Sequence, residues 1–297
     1  MSAAPLSLRA KSGATRVKDV AFRIAMLACL GLSAVVLLAL IVDVLVDALP
    51  VLGSSRILTN FPSSNSAVAG LQPAIFGTLW IIAVCALFIV PVGVATAVYL
   101  EEYADNSKWW NRLIEVNIQN LAAVPSIVYG ILGLAFLVRG PLSLGRVVLA
   151  GGLTLGLLVL PVVIISGREA IRAVPPSIRE GSMALGATQW QTIYKQVLPA
   201  SIPGIATGVI LALSRAIGET APLIVVGAAT FITFNPHGLV GNGAGFSALP
   251  IQIFSWISQP QEEFHQLAAA GIVLLLGLLC CMNGVAIYLR NKYENKW

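Results

Sequence analysis

Residues 74–100 read Ala74-Ile-Phe-Gly-Thr-Leu-Trp-Ile-Ile-Ala-Val-Cys-Ala-Leu-Phe-Ile-Val-Pro-Val-Gly-Val-Ala-Thr-Ala-Val-Tyr-Leu100, without one charged side chain. A helix rises about 1.5 Å per residue, so this run is long enough to cross about 30 Å of hydrocarbon. Lipid offers no partner to backbone N–H and C=O groups, and a lone segment of this length must satisfy them internally, as a helix. Five further stretches read the same way, at 24–46, 118–138, 147–166, 204–230 and 266–289. The expected fold class is therefore all-α, a polytopic membrane protein with six transmembrane helices. The rest of the composition agrees. Of 297 residues, 57% are apolar and 10% charged, and the mean hydropathy is +0.87. A soluble domain carries about 25% charged residues, so a water-soluble enzyme and a disordered chain are both excluded.

The first run exceeds the roughly 7 to 15 apolar residues of a signal-peptide core, and no small-x-small cleavage site follows it, so it is expected to be retained. Cys29, Cys85, Cys280 and Cys281 all fall inside apolar runs and have no metal-ligand spacing. They read as small packing groups. With the N-terminus inside, fourteen Lys and Arg fall on the cytoplasmic side, and Arg56, Arg139 and Arg146 on the other. By the positive-inside rule both termini face the cytoplasm, and the net charge of +5 is a topology signal that needs no nucleic-acid partner. The expected organisation is a basic tail over 1–23, a first crossing with its outer loop over 24–73, a core over 74–289 and a short tail over 290–297.

The cytoplasmic stretch 167–203 is too long to be only a connector. After Pro175-Pro176, Ser177 and Glu180 have the spacing of a capping box, and Thr188 and Gln191 repeat it. Gly186 between them suits a left-handed helix end, Trp190, Ile193, Tyr194 and Val197 share one helical face, and Pro199 is expected to stop the second helix. Helix, sharp turn and helix make a candidate docking elbow. The same pair lying at the membrane interface, with Trp190 and Tyr194 as aromatic anchors, is the alternative.

This loop resembles the cytoplasmic signature of ABC importer permeases, E-A-A-x3-G-x9-I-x-L-P. Glu180, Gly186 and Leu198-Pro199 keep its register, while Gly181, Ser182 and Gln196 depart from it. Four more segments resemble the phosphate-specific (Pst) branch and its PstA-type permeases: Gly93 to Tyr103, Leu121 to Gly130, Ser214-Arg-Ala-Ile-Gly-Glu-Thr-Ala-Pro222 and Ala248 to Phe254. The likeness runs from about Ala74 onward. It implies a type I importer permease (MetI-like) fold with a five-helix core and a peripheral first span, in a bacterial cytoplasmic (inner) membrane. It further implies a homologous second permease (PstC type), an ATPase pair (PstB type) that binds ATP and Mg, and an external phosphate-binding protein (PstS type). Contact with the ATPase would then involve Glu180, Ala184, Leu185, Gly186, Ala187, Leu198 and Pro199.

Arg215 stands inside the fifth apolar run, where a central arginine costs about 2.5 to 3.5 kcal/mol on the translocon scale. Glu219, four residues on, can pair with it. The pair either neutralises itself within the bundle or lines an anion path. In the second case the guanidinium fork suits a tetrahedral oxyanion, and the carboxylate competes so that the anion can leave again. Ser126 and Tyr129 can add hydroxyls to such a path. Asp43 and Asp47, at the outer end of the first run, read as interfacial, and Pro91, Pro125 and Pro161 as kink positions. Ala122, Ser126, Gly130 and Gly133 supply small side chains for close helix approach.

The outer loop over 231–265 holds Gly241-Asn-Gly-Ala-Gly245, read as a turn, and an apolar stretch over 249–257, too short to span and read as an interfacial or re-entrant helix beneath a docking face for the binding protein. No Gly-x4-Gly-Lys-Ser/Thr phosphate loop occurs, so ATP is expected on a separate subunit and no cofactor or metal in this chain. The functional expectation is a permease subunit, not itself an enzyme, passing phosphate inward by alternating access. The alternatives are a sister permease for another oxyanion or small solute, and a phosphate-sensing membrane scaffold.

Overall fold

The computed structural model describes residues 13–105, 107–241 and 244–293. Arg9, Lys11, Lys296, Asn242 and Gly243 lie outside the described residues. Every regular element among the described residues is helical. The long helices are α1 (Gly13–Leu52), α2 (Gln72–Val98), α5 (Val148–Arg172), α7 (Leu198–Gly218) and α10 (Glu262–Tyr293). Shorter ones are α3 (Trp109–Ala122), α4 (Ser126–Leu132), α6 (Pro176–Ala184), α8 (Ala221–Val226) and α9 (Leu249–Ile257). Five helical runs are long and apolar enough to cross a membrane, and the bent pair Trp109–Ala122 with Ser126–Val138 makes a sixth if it is one span.

The core forms where α2, α5 and α7 meet. Ile81, Cys85 and Ile89 of α2 are buried against Leu155, Val159 and Val163 of α5 and Ala212 and Ala216 of α7. Pro91 and Pro161 stay inside their helices. By contrast α1 is exposed along most of its length and is held through Ala48 and Val51 near its C-terminal end, in a cluster with α9 and α10. The helix expected over 249–257 is present, and six of its nine residues are buried, so it is packed into the bundle.

Two expected spans are broken. The run over 118–138 is not one straight helix: α3 and α4 meet at 109°, and α4 continues as a π turn, Gly133–Val138. Pro125 causes the break, because it has no N–H to donate and pushes its predecessor out of the helical region. The run over 204–230 is not one helix either. It ends at Gly218, Glu219 is extended (φ −79, ψ 118), and α8 is a separate helix closed by left-handed Gly227. Pro222 lacks the N–H that would have bonded to the Gly218 carbonyl. The two breaks touch: a Cβ on Gly130 of α4 would stand 2.7 Å from Pro222 Cα, so only glycine lets α4 and α8 approach this closely.

The cytoplasmic elbow departs from expectation in two places. Ser177 and Glu180 form no capping box, since the helix starts at Pro176 with Pro175 as its cap residue and no side-chain cap. Proline at the first position is itself a helix starter, and it leaves Ser177 already inside. Pro199 does not stop the second helix. Gln189–Thr192 passes through a π turn, Ile193–Val197, straight into α7. There Leu198 N–H bonds to Ile193 O, and Pro199 falls where the ladder changes register and a missing donor is tolerated. The other local readings hold. Gly186 has φ +86, and Thr188 and Gln191 make both halves of a capping box, at 3.3 and 3.0 Å.

Candidate functional site: a membrane charge pair and a cytoplasmic elbow

Arg215 sits on the last turn of α7, and Glu219 in the extended link that follows. Arg215 Nε donates to Glu219 Oε1 at 3.3 Å, so the expected pair forms, although across a helix end and not along an intact helix. The pair is not a sealed one. The Arg215 side chain is 47% exposed against 18% for Glu219, and its two terminal nitrogens make no hydrogen bond among the described residues. One edge of the guanidinium is thus held while the fork remains free. Ser214 braces this end of α7: its Oγ lies 2.7 Å from Asn283 Oδ1 on α10.

Ser126 and Tyr129 occupy the start of α4 beside the same break. The Tyr129 hydroxyl donates to Leu121 O at 2.8 Å and so staples α3 to α4 across the bend. Tyr129 itself is buried. Ser126 is half-buried, and its hydroxyl makes no side-chain hydrogen bond among the described residues. The two broken helices meet at Gly130 and Pro222, with the Arg215–Glu219 pair at one break, the uncommitted Ser126 hydroxyl at the other, and Tyr129 serving the scaffold.

At the other end of α7, the elbow presents Glu180, Ala184, Leu185 and Gly186 outward, with Ala187, Leu198 and Pro199 half-buried behind them. Leu185 is 91% exposed, an apolar tip with almost no packing in its own chain. A hollow of about 550 Å³ opens between the two short helices, lined by Ser177, Gly181, Leu185, Gln191 and Lys195 among others. Ile193 and Val197 turn inward, whereas Trp190 and Tyr194 stack on each other on the outside, centroids 6.1 Å apart. The face that reads as one in sequence is thus divided between core and surface.

What fixes the elbow to the bundle is a set of ion pairs that helical spacing could not reveal. Arg179 of α6 reaches Glu102 Oε1 through Nε (3.1 Å) and Nη2 (2.8 Å), and it donates to Val174 O and Ile171 O at 2.6 and 2.8 Å. It thereby ties α6 to the end of α5 and to the π turn Tyr99–Tyr103 that ends α2. A cation at the carbonyl end of a helix is favourably placed. Gln189 adds a bond to Glu102 O at 2.8 Å. Arg168, buried, pairs with Glu115 at 2.9 Å and Glu101 at 3.4 Å, and Arg172 with Glu101 at 2.9 Å. The one signal in the sequence was Glu101-Glu102 closing an apolar run opposite an arginine-bearing loop. Breaking a buried pair by removing one partner costs roughly 3 kcal/mol or more, and this pair is largely buried. Arg179→Ala is therefore expected to speed amide hydrogen exchange over 176–192 at least about tenfold while α10 is unaffected. Unchanged exchange there would show that the clamp does not hold the elbow.

Residues 89–293 match the family described as binding-protein-dependent transport system inner membrane component. The chain is 34% identical over 221 residues to a probable ABC transporter permease protein, YqgH, of Bacillus subtilis, covering 72% of this chain and 70% of that protein. It is 30% identical over 249 residues to the phosphate transport system permease protein PstA of Haemophilus influenzae, covering 84% of each. These relatives bear out the resemblance to PstA-type permeases. Among solved structures, the chain is similar to a chain of a bacterial alginate ABC transporter crystallised with its alginate-loaded periplasmic protein. The TM-score is 0.67 at 16% identity, over 96% of this chain and 99% of that one, which supports the type I importer permease fold. This chain belongs to the family of binding-protein-dependent transport system inner membrane components, and its fold is that of a MetI-like ABC importer permease.

Proposed function

We propose that the chain is the PstA-type permease subunit of an ATP-driven importer and that it passes inorganic phosphate across the bacterial inner membrane. The observation that carries this reading is the half-free guanidinium of Arg215, tethered to Glu219 by Nε alone beside two broken helices. An oxyanion can take the open edge of the fork in a charge-assisted contact, and Glu219 can reclaim the cation as the anion moves on. The relatives named for phosphate transport support the choice of anion.

Energy comes from outside this chain. In this reading an ATPase pair of the PstB type, which binds ATP and Mg, docks on the elbow around Leu185 and Gly186, and Arg179 passes its movement to the ends of α2 and α5. A PstC-type permease supplies the other half of the path, and a PstS-type protein delivers phosphate at the outer face. The excess of Lys and Arg on one side supports an orientation with both termini in the cytoplasm.

The test is uptake of labelled phosphate by the complete complex in proteoliposomes, with sulfate and molybdate as competitors. Uptake should depend on ATP, be diluted by unlabelled phosphate and resist a tenfold excess, roughly the span of one good charge-assisted contact, of either other oxyanion. Equal suppression by sulfate or molybdate would favour a sister permease of different selectivity. Absence of any uptake despite ATP hydrolysis would favour a sensing role.

A further inference from the structure

Segments 53–71, 139–147 and 227–261, at the end of the bundle opposite the elbow, contain Arg56, Arg139 and Arg146 and not one Asp or Glu. Arg56 is committed, with Nη1 donating to Ala67 O. Arg139 and Arg146 are exposed, and their guanidinium groups make no hydrogen bond or ion pair among the described residues.

Their positions are nonetheless well defined. Val138, Val147 and Val226 share one buried cluster, which brings the chain next to both arginines onto the end of α8. The loop between them is pinned by Leu144 N–H to Leu137 O at 2.9 Å and Gly145 N–H to Val138 O at 3.3 Å. The stem of Arg146 lies across Gly227: a Cβ there would stand 2.6 Å from Arg146 Cδ and 2.9 Å from Nε. Gly227, at φ +105, closes α8, while Glu219 stands just before it. Arg146 and the Arg215–Glu219 pair thus flank opposite ends of a six-residue helix, about 9 Å long.

We infer that Arg146, with Arg139 anchored on the same cluster, is an outer receiving site for inorganic phosphate, one step ahead of Arg215. The inference rests on the phosphate-permease reading above. Glu262 and Glu263 open α10 at the same end, but neither arginine is in ion-pair contact with a carboxylate among the described residues, so each can attract an anion, and solvent around it keeps the attraction weak enough for release. So short a helix keeps the two sites neighbours, and an anion leaving Arg146 has one short element to pass before it meets Arg215. At Arg215 the tether to Glu219 holds one edge of the guanidinium and leaves the fork to take the anion in turn. Arg146 also stands at the carbonyl end of α8, which favours a cation, but its guanidinium makes no hydrogen bond to a carbonyl among the described residues, so its donors stay open to an anion.

The experiment compares Arg146→Gln, Arg146→Lys and Arg215→Gln in the complete complex with its binding protein, in proteoliposomes supplied with labelled phosphate. For Arg146→Gln, uptake should fall about five- to tenfold and lose much of its dependence on ionic strength, while affinity for the binding protein stays within about twofold. Arg146→Lys should recover at least about half of the wild-type rate, because a point charge still attracts the anion. Normal uptake by Arg146→Gln alongside a dead Arg215→Gln overturns the receiving site alone. Normal uptake by both overturns the phosphate path itself. Weakened binding-protein affinity would make Arg146 a protein contact, and failure of lysine to rescue would make it a packing residue, and either result overturns the inference.

Discussion

Arg215→Gln is expected to lower phosphate uptake by about a hundredfold while the complex still assembles. A charge-assisted, two-pronged contact with an oxyanion is worth up to about 3 kcal/mol, and every 1.4 kcal/mol or so is a factor of ten. Glutamine keeps a similar helix propensity on a shorter side chain, and the side chain it replaces is nearly half exposed, so the end of α7 has no packing reason to unravel. Ser214 and Asn283 still brace it. Co-purification with a tagged partner permease should be unchanged, which separates loss of path from loss of assembly. Arg215→Lys should fall between, because it keeps the charge but loses the planar fork. Wild-type uptake by the glutamine variant would reduce Arg215 and Glu219 to a self-neutralising pair.

The second large effect belongs to the elbow. Leu185→Asp should leave the permease as stable as wild type and yet abolish its capture of the ATPase. With 91% of its surface exposed, Leu185 touches little of its own chain, and substitutions at such positions shift stability by roughly 0.5 kcal/mol or less. Burying a leucine in a partner's surface is worth about 1.5 to 3 kcal/mol, and an aspartate in its place adds the penalty of an unpaired charge. Pull-down of the ATPase should drop at least about tenfold, with unchanged melting of the purified permease. Full ATPase capture would place docking elsewhere, leaving the elbow as an interfacial pair anchored by Trp190 and Tyr194.

The elements that could be read from sequence are those set by local physics. An uncharged run as long as 74–100 has one stable form in lipid, and Gly186 and the Thr188–Gln191 box act within a few residues of themselves. The Arg215–Glu219 pair likewise joins residues only four apart in sequence. The breaks were harder to place, because counting uncharged residues does not distinguish a crossing from two half-helices, and Pro125 and Pro222 decide between them. Ser177 failed as a cap for a similar reason, since Pro176 had already started the helix. Arg179 and Glu102 are 77 residues apart, so their pairing depends on how α2 and α5 pack. The same holds for Tyr129, whose hydroxyl finds Leu121 only because the chain turns sharply between them.

Electron cryomicroscopy of the assembled complex, trapped with phosphate, tests the central claim most directly. Phosphate density should lie within about 3 Å of the Arg215 terminal nitrogens, in a water-accessible channel bounded by α4, α7 and the second permease. A guanidinium facing acyl chains, or closed into a dry helix contact remote from any phosphate density, would contradict it.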